Sequence, residues 1–271
     1  MSKHDNELKK LKKDLESGAI DISTYNKITE KLNDNYMPYS NKIKLPKDKK
    51  RIKLLNILKL VLIVLILVIV FYYIFISIPF RSYQTVTDLY NLPQPLQQST
   101  NGYVIKYISG TPVNISYIAK YTIQGVVLDT YDYLEYNTQN KLSPIDVALG
   151  WGTLANPDNY SKVNWSSSGN RFLYHRITDY SLLNTLSENY LDDHFSNNHL
   201  IPSSNEIKKL IKSIKKGDYI SIEGYLVNAT YKKEDNYMFY WNSSTSRTDS
   251  GDGACELIYV IDIKWLKEAK N

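Results

Sequence analysis

A chain of 271 residues, 43% hydrophobic and 13% aromatic, can bury a sizeable core, which excludes disorder throughout and leaves room for one or two domains. Its formal net charge of +5 is unevenly spread: residues 1–59 carry 15 basic and 8 acidic side chains (+7), whereas residues 81–271 carry 18 and 20 (−2). The basic excess lies beside a long apolar run, which argues for a membrane-proximal arm and against a nucleic-acid partner, and the single cysteine, Cys255, excludes an intramolecular disulfide framework.

In chain order, residues 1–36 are expected to form a helical hairpin. Leu8, Leu11 and Leu15 recur at helical spacing, Gly18 interrupts the pattern, and Ile20, Tyr25, Ile28 and Leu32 mark a second apolar face. Gly18 can supply the left-handed residue that ends the first helix, and Ser23 can cap the second with Asp21 beside it. These residues resemble the SHOCT family of short helical modules, whose pattern L-x-x-L-x-x-x-L-x-x-G-x-I is followed by an aromatic and two further apolar positions. The resemblance covers about 25 residues and implies oligomerisation or docking of a protein partner through residues 7–34. Two short helices bury too little surface to stand alone, so self-association is physically sensible.

Residues 37–53 form a basic juxtamembrane linker and residues 54–80 a transmembrane helix. Leu60 to Phe80 contains 21 residues without a charge, and at about 1.5 Å per residue such a helix spans the roughly 30 Å hydrocarbon core. The run begins too late and ends too bulkily for a cleaved signal peptide. Lys42, Lys44, Lys47, Lys49, Lys50, Arg51 and Lys53 precede it and only Arg81 follows before Lys106, so the positive-inside rule places the N-terminus in the cytoplasm. Phe71, Tyr72, Tyr73, Phe75 and Phe80 suit the outer interface, and Lys59 can snorkel to the inner one. The segment has no Gly-x-x-x-Gly pattern. The expected setting is a bacterial cytoplasmic membrane, with the bilayer as a partner.

Beyond it, residues 81–101 read as a Pro- and Gln-rich linker and residues 102–271 as an extracytoplasmic α+β domain, a small curved sheet or barrel plus helices. Strands are expected at residues 103–108, 115–129, 171–177, 219–230, 237–241 and 256–264, with helices near 181–193 and 205–216. Two echoes raise a duplicated OB-like or other small-barrel half: Ile123 to Leu128 against Ile222 to Val227, each with a central glycine, and W-x-S-S-x-x-R at Trp165 and Trp241. In that reading Leu142 to Tyr160 is an insertion. Ser143 to Gly152, Asn198 to Pro202, Gly217-Asp218 and Trp241 to Glu256 resemble, as a set, a group of uncharacterised bacterial single-pass membrane-anchored proteins. That resemblance implies one coherent domain without a specified activity.

Trp241 to Glu256 is the densest polar stretch between two expected strands. Ser243 and Ser244 can present backbone N–H groups, Arg247 a planar fork and Trp241 a stacking face to an envelope ligand, with Asp249 and Asp252 beside them. The favoured reading of the stretch is structural, a hairpin turn in which Arg247 pairs with Asp249 or Asp252. Trp151, between Gly150 and Gly152, is a ligand platform if exposed and a packed indole if buried. Asp192, Asp193, His194 and His199 read as a loop between helices, without the spacing of a metal site. His199 with Asp192, Asp193 or Cys255 is the candidate catalytic set. No nucleophile elbow, phosphate-binding loop or dinucleotide fingerprint occurs, so no cofactor is expected. Two functions follow: a non-catalytic envelope binding or assembly protein, or an anchored hydrolase acting on envelope material.

Overall fold

The computed structural model describes residues 2–36, 49–77, 79–233, 237–246 and 253–269, which fall into two compact units divided at Tyr72 and Tyr73. The first holds the helix α1 (Lys3–Glu16), the helix α2 (Ile22–Tyr36) and most of the helix α3 (Lys49–Ser77). Ser2 and Asp5 form a reciprocal capping box on α1, and Gly18 follows its C-cap at φ +77°, a left-handed backbone that costs glycine nothing. The second helix begins earlier than its expected cap. Asp21, not Ser23, takes the cap position, its Oδ1 accepting from Thr24 N at 2.7 Å. Leu8, Leu11, Leu15, Ile20, Tyr25, Ile28 and Leu32 are half-buried, α1 and α2 touch, and no residue of α1 is fully buried. Lys53–Tyr73 of α3 is long and apolar enough to cross a membrane, and none of it is buried.

In the second unit, five strands close a ring: β4 (Thr111–Asp132), β5 (Ile145–Gly150), β8 (Phe195–Pro202), β9 (Tyr219–Lys232) and β11 (Glu256–Glu268). β4 pairs antiparallel with β5, and β5 with β8; β8 runs parallel to β11, β11 antiparallel to β9, and β9 antiparallel to β4. Numbered within the ring, the order is 1-2-3-5-4-1, with the helix α7 (Asn205–Ile211) between the third and fourth strands. This is the Greek-key connectivity of an OB-type barrel.

The glycine echo lies within this one barrel. Ile123 and Ile222 are direct partners on the antiparallel strands β4 and β9. A Cβ on Gly224 would strike the backbone of Tyr259, next to the register shift between Val260 and Asp262. One on Gly125 would meet the Gly150 carbonyl at 2.9 Å. Each glycine permits a neighbouring strand to cross close, so the echo reflects shared barrel geometry between paired strands.

Residues 81–101 are no free linker. β1 (Tyr83–Val86) runs parallel to β11, β2 (Leu96–Ser99) pairs with β4, and Leu92 is buried and bridges Gly152. Arg81 binds Asp218 at 3.7 Å, donates to the Ser213 carbonyl and lies 4.3 Å from the Trp265 ring centroid. β3 (Tyr103–Ile108) extends the sheet from β4, and β10 (Met238–Asn242) extends it from β9. Between β4 and β5 sits the short helix α4 (Thr138–Leu142). Between β5 and β8 come α5 (Pro157–Tyr160), the separate hairpin β6 (Val163–Ser167) with β7 (Leu173–Ile177), and α6 (Glu188–Asp192). Leu142 to Tyr160, expected as an insertion, thus contains a ring strand.

Strand alternation divides the core in two. Ile258 and Val260 face a large cluster with Tyr121, Ile123, Val147, Leu200, Ile222 and Leu226, into which α7 inserts Ile207 and Ile211. Leu257 faces a smaller cluster with Val113, Ile115, Leu142, Ile201, Val227 and Ala229.

Candidate ligand-binding face of the barrel

The site grows from one misfit in an apolar strand. β5 reads Ile-Asp-Val-Ala-Leu-Gly, and all six residues are buried, including Asp146 at 1% exposure. An ionised carboxylate there requires partners. Arg171, at the turn between β6 and β7, brings Nη1 to Asp146 Oδ1 at 2.9 Å. Tyr133, just past the end of β4, donates its hydroxyl to Oδ2 at 2.8 Å, with the Ser168 carbonyl a second acceptor at 3.1 Å. Burial and then the Asp146 charge push the Tyr133 hydroxyl well above its ordinary range, so it stays a donor.

His199 is the register partner of Asp146 on β8 and is 3% exposed. Its Nδ1 lies 2.8 Å from Asp146 Oδ1, yet that nitrogen completes no aligned hydrogen bond. The contact is a close approach to an oxygen that Arg171 already holds, and it is weaker than the Arg171 pair.

Three of the five guanidinium N–H groups of Arg171 are placed. Nη2 donates to Asn140 Oδ1 and to the Ser143 carbonyl, both at 3.0 Å. The guanidinium carbon lies 4.0 Å from the Tyr133 ring centroid and 4.7 Å from that of Trp241, a cation held between two aromatic faces. Its backbone is in the left-handed region at φ +68°, uncommon for a residue with a Cβ, and its carbonyl accepts from Asn197 Nδ2 at 2.9 Å. The neighbouring network of strand β8 is equally polar. Asn198 Nδ2 donates to the Val147 carbonyl at 2.9 Å, whereas Asn197 Oδ1 is buried without a hydrogen-bond partner among the described residues.

Above this cluster opens a pocket of about 410 Å³. Gln139 comes from α4, Asn170, Arg171 and Phe172 from the β6–β7 turn, His199 from β8, Tyr240, Trp241 and Asn242 from β10, and Gly253 and Cys255 from the approach to β11. The walls are therefore the connections after ring strands one, two and four, over ring strand three.

The pocket unites three of the expected site residues, His199, Trp241 and Cys255. The rings of His199 and Trp241 are 5.0 Å apart, and Cys255 Sγ lies 3.5 Å from Asn197 Nδ2. Ser243 and Ser244 act on the backbone. Ser243 Oγ accepts from Leu257 N at 2.9 Å, and Ser244 N donates to the Cys255 carbonyl at 3.0 Å, so they fasten β10 to β11. Arg247, Asp249 and Asp252 lie outside the described residues.

Two expectations are corrected. Trp151 is 2% exposed in the large cluster, which removes it as a ligand platform. Asp192 ends α6, 3.4 Å from His175 Nε2, and Asp193 caps that helix; neither lines the pocket. The carboxylate beside His199 is Asp146, which sequence reasoning missed together with Arg171, Tyr133 and the amides. Their one visible signal was an aspartate inside an otherwise apolar run. Among the described residues no cluster of three or more His, Cys, Asp or Glu side chains could hold a metal ion.

No protein-family model matches this chain, and no curated protein matches it significantly.

Proposed function

We propose that this chain is a single-pass membrane-anchored envelope protein with its N-terminus in the cytoplasm and its barrel outside. The barrel is a non-catalytic binding module, and the α1–α2 hairpin is a SHOCT-like element that assembles copies or docks a partner. The observation that supports the binding reading is the pocket's place. OB-type barrels bind oligomeric ligands over ring strands two and three, between the loops after strands one and four, and the Trp241 pocket occupies that face. The anchor reading draws support from Lys53–Tyr73, whose complete lack of burial does not suit the core helix of a soluble domain.

The decisive experiment is co-sedimentation of the detergent-solubilised full chain with insoluble envelope material from its own cells. Wild type is expected to be retained and Trp241→Ala to be retained at least about tenfold more weakly. Equal retention of the two sinks the reading. For topology, protease added to spheroplasts digests the chain after Arg81 and spares an N-terminal tag, and the reverse pattern refutes the orientation.

The hydrolase reading has one observation in its favour. Asp146 and His199 approach at 2.8 Å in a pocket that also holds Cys255. Against it, Arg171 already neutralises that carboxylate. Release of soluble fragments from the envelope material, abolished by Cys255→Ser, favours the hydrolase.

A further inference from the structure

We infer that the Trp241 pocket takes an uncharged stretch of a saccharide chain. The inference rests on the binding reading above and deepens it.

The first step is a charge argument. Among the described residues that line it, Arg171, His199, Tyr240 and Cys255 are ionisable, and none is a lysine or a carboxylate. Arg171 is already charge-paired. Its charge is met by Asp146 at 2.9 Å, its Nη2 has two acceptors at 3.0 Å, and its side chain is 11% exposed. A phosphate or carboxylate entering here would compete with a buried carboxylate for a charge already neutralised, and displacing Asp146 would leave it uncompensated, a cost that a surface lysine would not impose. Nucleic acid is disfavoured on the same ground, because its binding draws chiefly on free cationic side chains at the phosphates.

The second step concerns what the walls do offer. Gln139, Asn170 and Asn242 each carry both a donor and an acceptor, the combination that matches a hydroxyl, which also donates and accepts. Phe172, Tyr240 and Trp241 add aromatic surface for the apolar C–H faces of a pyranose ring. Among the described residues, a lining of amides and aromatic rings around a paired arginine suits a polyol. The volume, about 410 Å³, falls in the range of about 300–1,000 Å³ typical of small-ligand sites.

The test is calorimetric titration of the full chain in a polyoxyethylene detergent, since sugar-based detergents would compete. The probes are chitotetraose, cellotetraose and mannotetraose, with a heparin-derived tetrasaccharide and an oligothymidylate as anionic comparators. At least one neutral tetrasaccharide is expected to bind, with affinity changing less than about twofold from low to high salt. Trp241→Ala is expected to weaken it about tenfold or more. Because Trp241 also covers Arg171, the variant Gln139→Ala, at a half-buried position outside the hydrogen bonds of the Arg171 guanidinium, is the independent check. It is expected to weaken binding about fivefold with an unchanged denaturation midpoint. No binding by any neutral probe overturns the inference, as does tight, salt-dependent binding of the anionic comparators alone. In the latter case, envelope retention sensitive to Trp241→Ala leaves the binding-module reading standing.

Discussion

The helical hairpin and the barrel are two answers to the problem of burying surface. In the hairpin the seven apolar side chains that define its two faces are only half-buried and α1 has no fully buried residue. In the barrel even an aspartate, an asparagine and a histidine are more than nine-tenths buried at Asp146, Asn198 and His199. The hairpin holds its shape by caps and local periodicity, and leaves its apolar side chains partly exposed. The barrel holds its shape by long-range registry, so a local defect spreads through it. A substitution in the barrel should therefore register across that unit, whereas one in the hairpin should change association and leave the barrel untouched.

The largest expected effect is at Asp146. Asp146→Asn removes the charge that compensates Arg171 and is expected to cost about 3–5 kcal/mol in urea unfolding followed by near-ultraviolet circular dichroism. Glu7→Gln on α1 should stay within about 0.5 kcal/mol in the same assay. A loss below about 1 kcal/mol at Asp146 would break the contrast. Next come two glycines with different duties. Gly224→Ala forces a Cβ against the Tyr259 backbone and is expected to cost the barrel about 1–3 kcal/mol. Gly18→Ala has open space around it but a positive φ, so about 1 kcal/mol is lost locally, read by far-ultraviolet dichroism without a change in barrel unfolding.

A third experiment sharpens the contrast at smaller amplitude. Joint replacement of Leu8, Leu11 and Leu15 by asparagine should abolish chemical cross-linking between copies in membranes while moving barrel stability by less than about 0.5 kcal/mol. Persistent cross-links would remove the hairpin as the assembly element. The smallest effect below pH 10 is alkaline. Burial holds the hydroxyls of Tyr117, Tyr133, Tyr219, Tyr231 and Tyr259 above their ordinary value of 10.0. A raised folded-state value means that the fold prefers the protonated form. Its stability contribution is complete below pH 10 and is lost as pH rises through the folded values. Tyrosinate absorbance should show a buried population that ionises only with unfolding, and gradual ionisation of all tyrosines in the folded state would contradict it.

What was legible in the sequence follows the same divide. The hairpin's periodic leucines are a local signal and place both helices, with the second start two residues early. β3, β9 and β11 announce themselves by runs of Tyr, Val and Ile. β8 reads Phe-Ser-Asn-Asn-His-Leu-Ile-Pro, a composition of turns, and was expected to be a loop. It is a strand because its polar side chains find partners in neighbouring elements, such as Asn198 with the Val147 carbonyl. The site was partly visible for a related reason. Trp241, His199 and Cys255 are conspicuous one at a time, but Asp146 and Arg171 acquire meaning only across a sequence separation of 25. No local pattern encodes that pairing.

The parallel pairing of β1 with β11 has a mechanical consequence. Tyr83 to Val86 are in register with Trp265 to Glu268, and the ladder is extended by Trp265 N on the Ser82 carbonyl and Ala269 N on that of Val86. Tension entering at Arg81 and directed along β1 loads these bonds together, in shear, instead of opening them one after another as a pull across the strand would. The Arg81 contacts with Asp218 and Trp265 stand ahead of that ladder as the first to bear load. The force at which β1 leaves the barrel therefore depends on the direction of the pull, along the strand or across it.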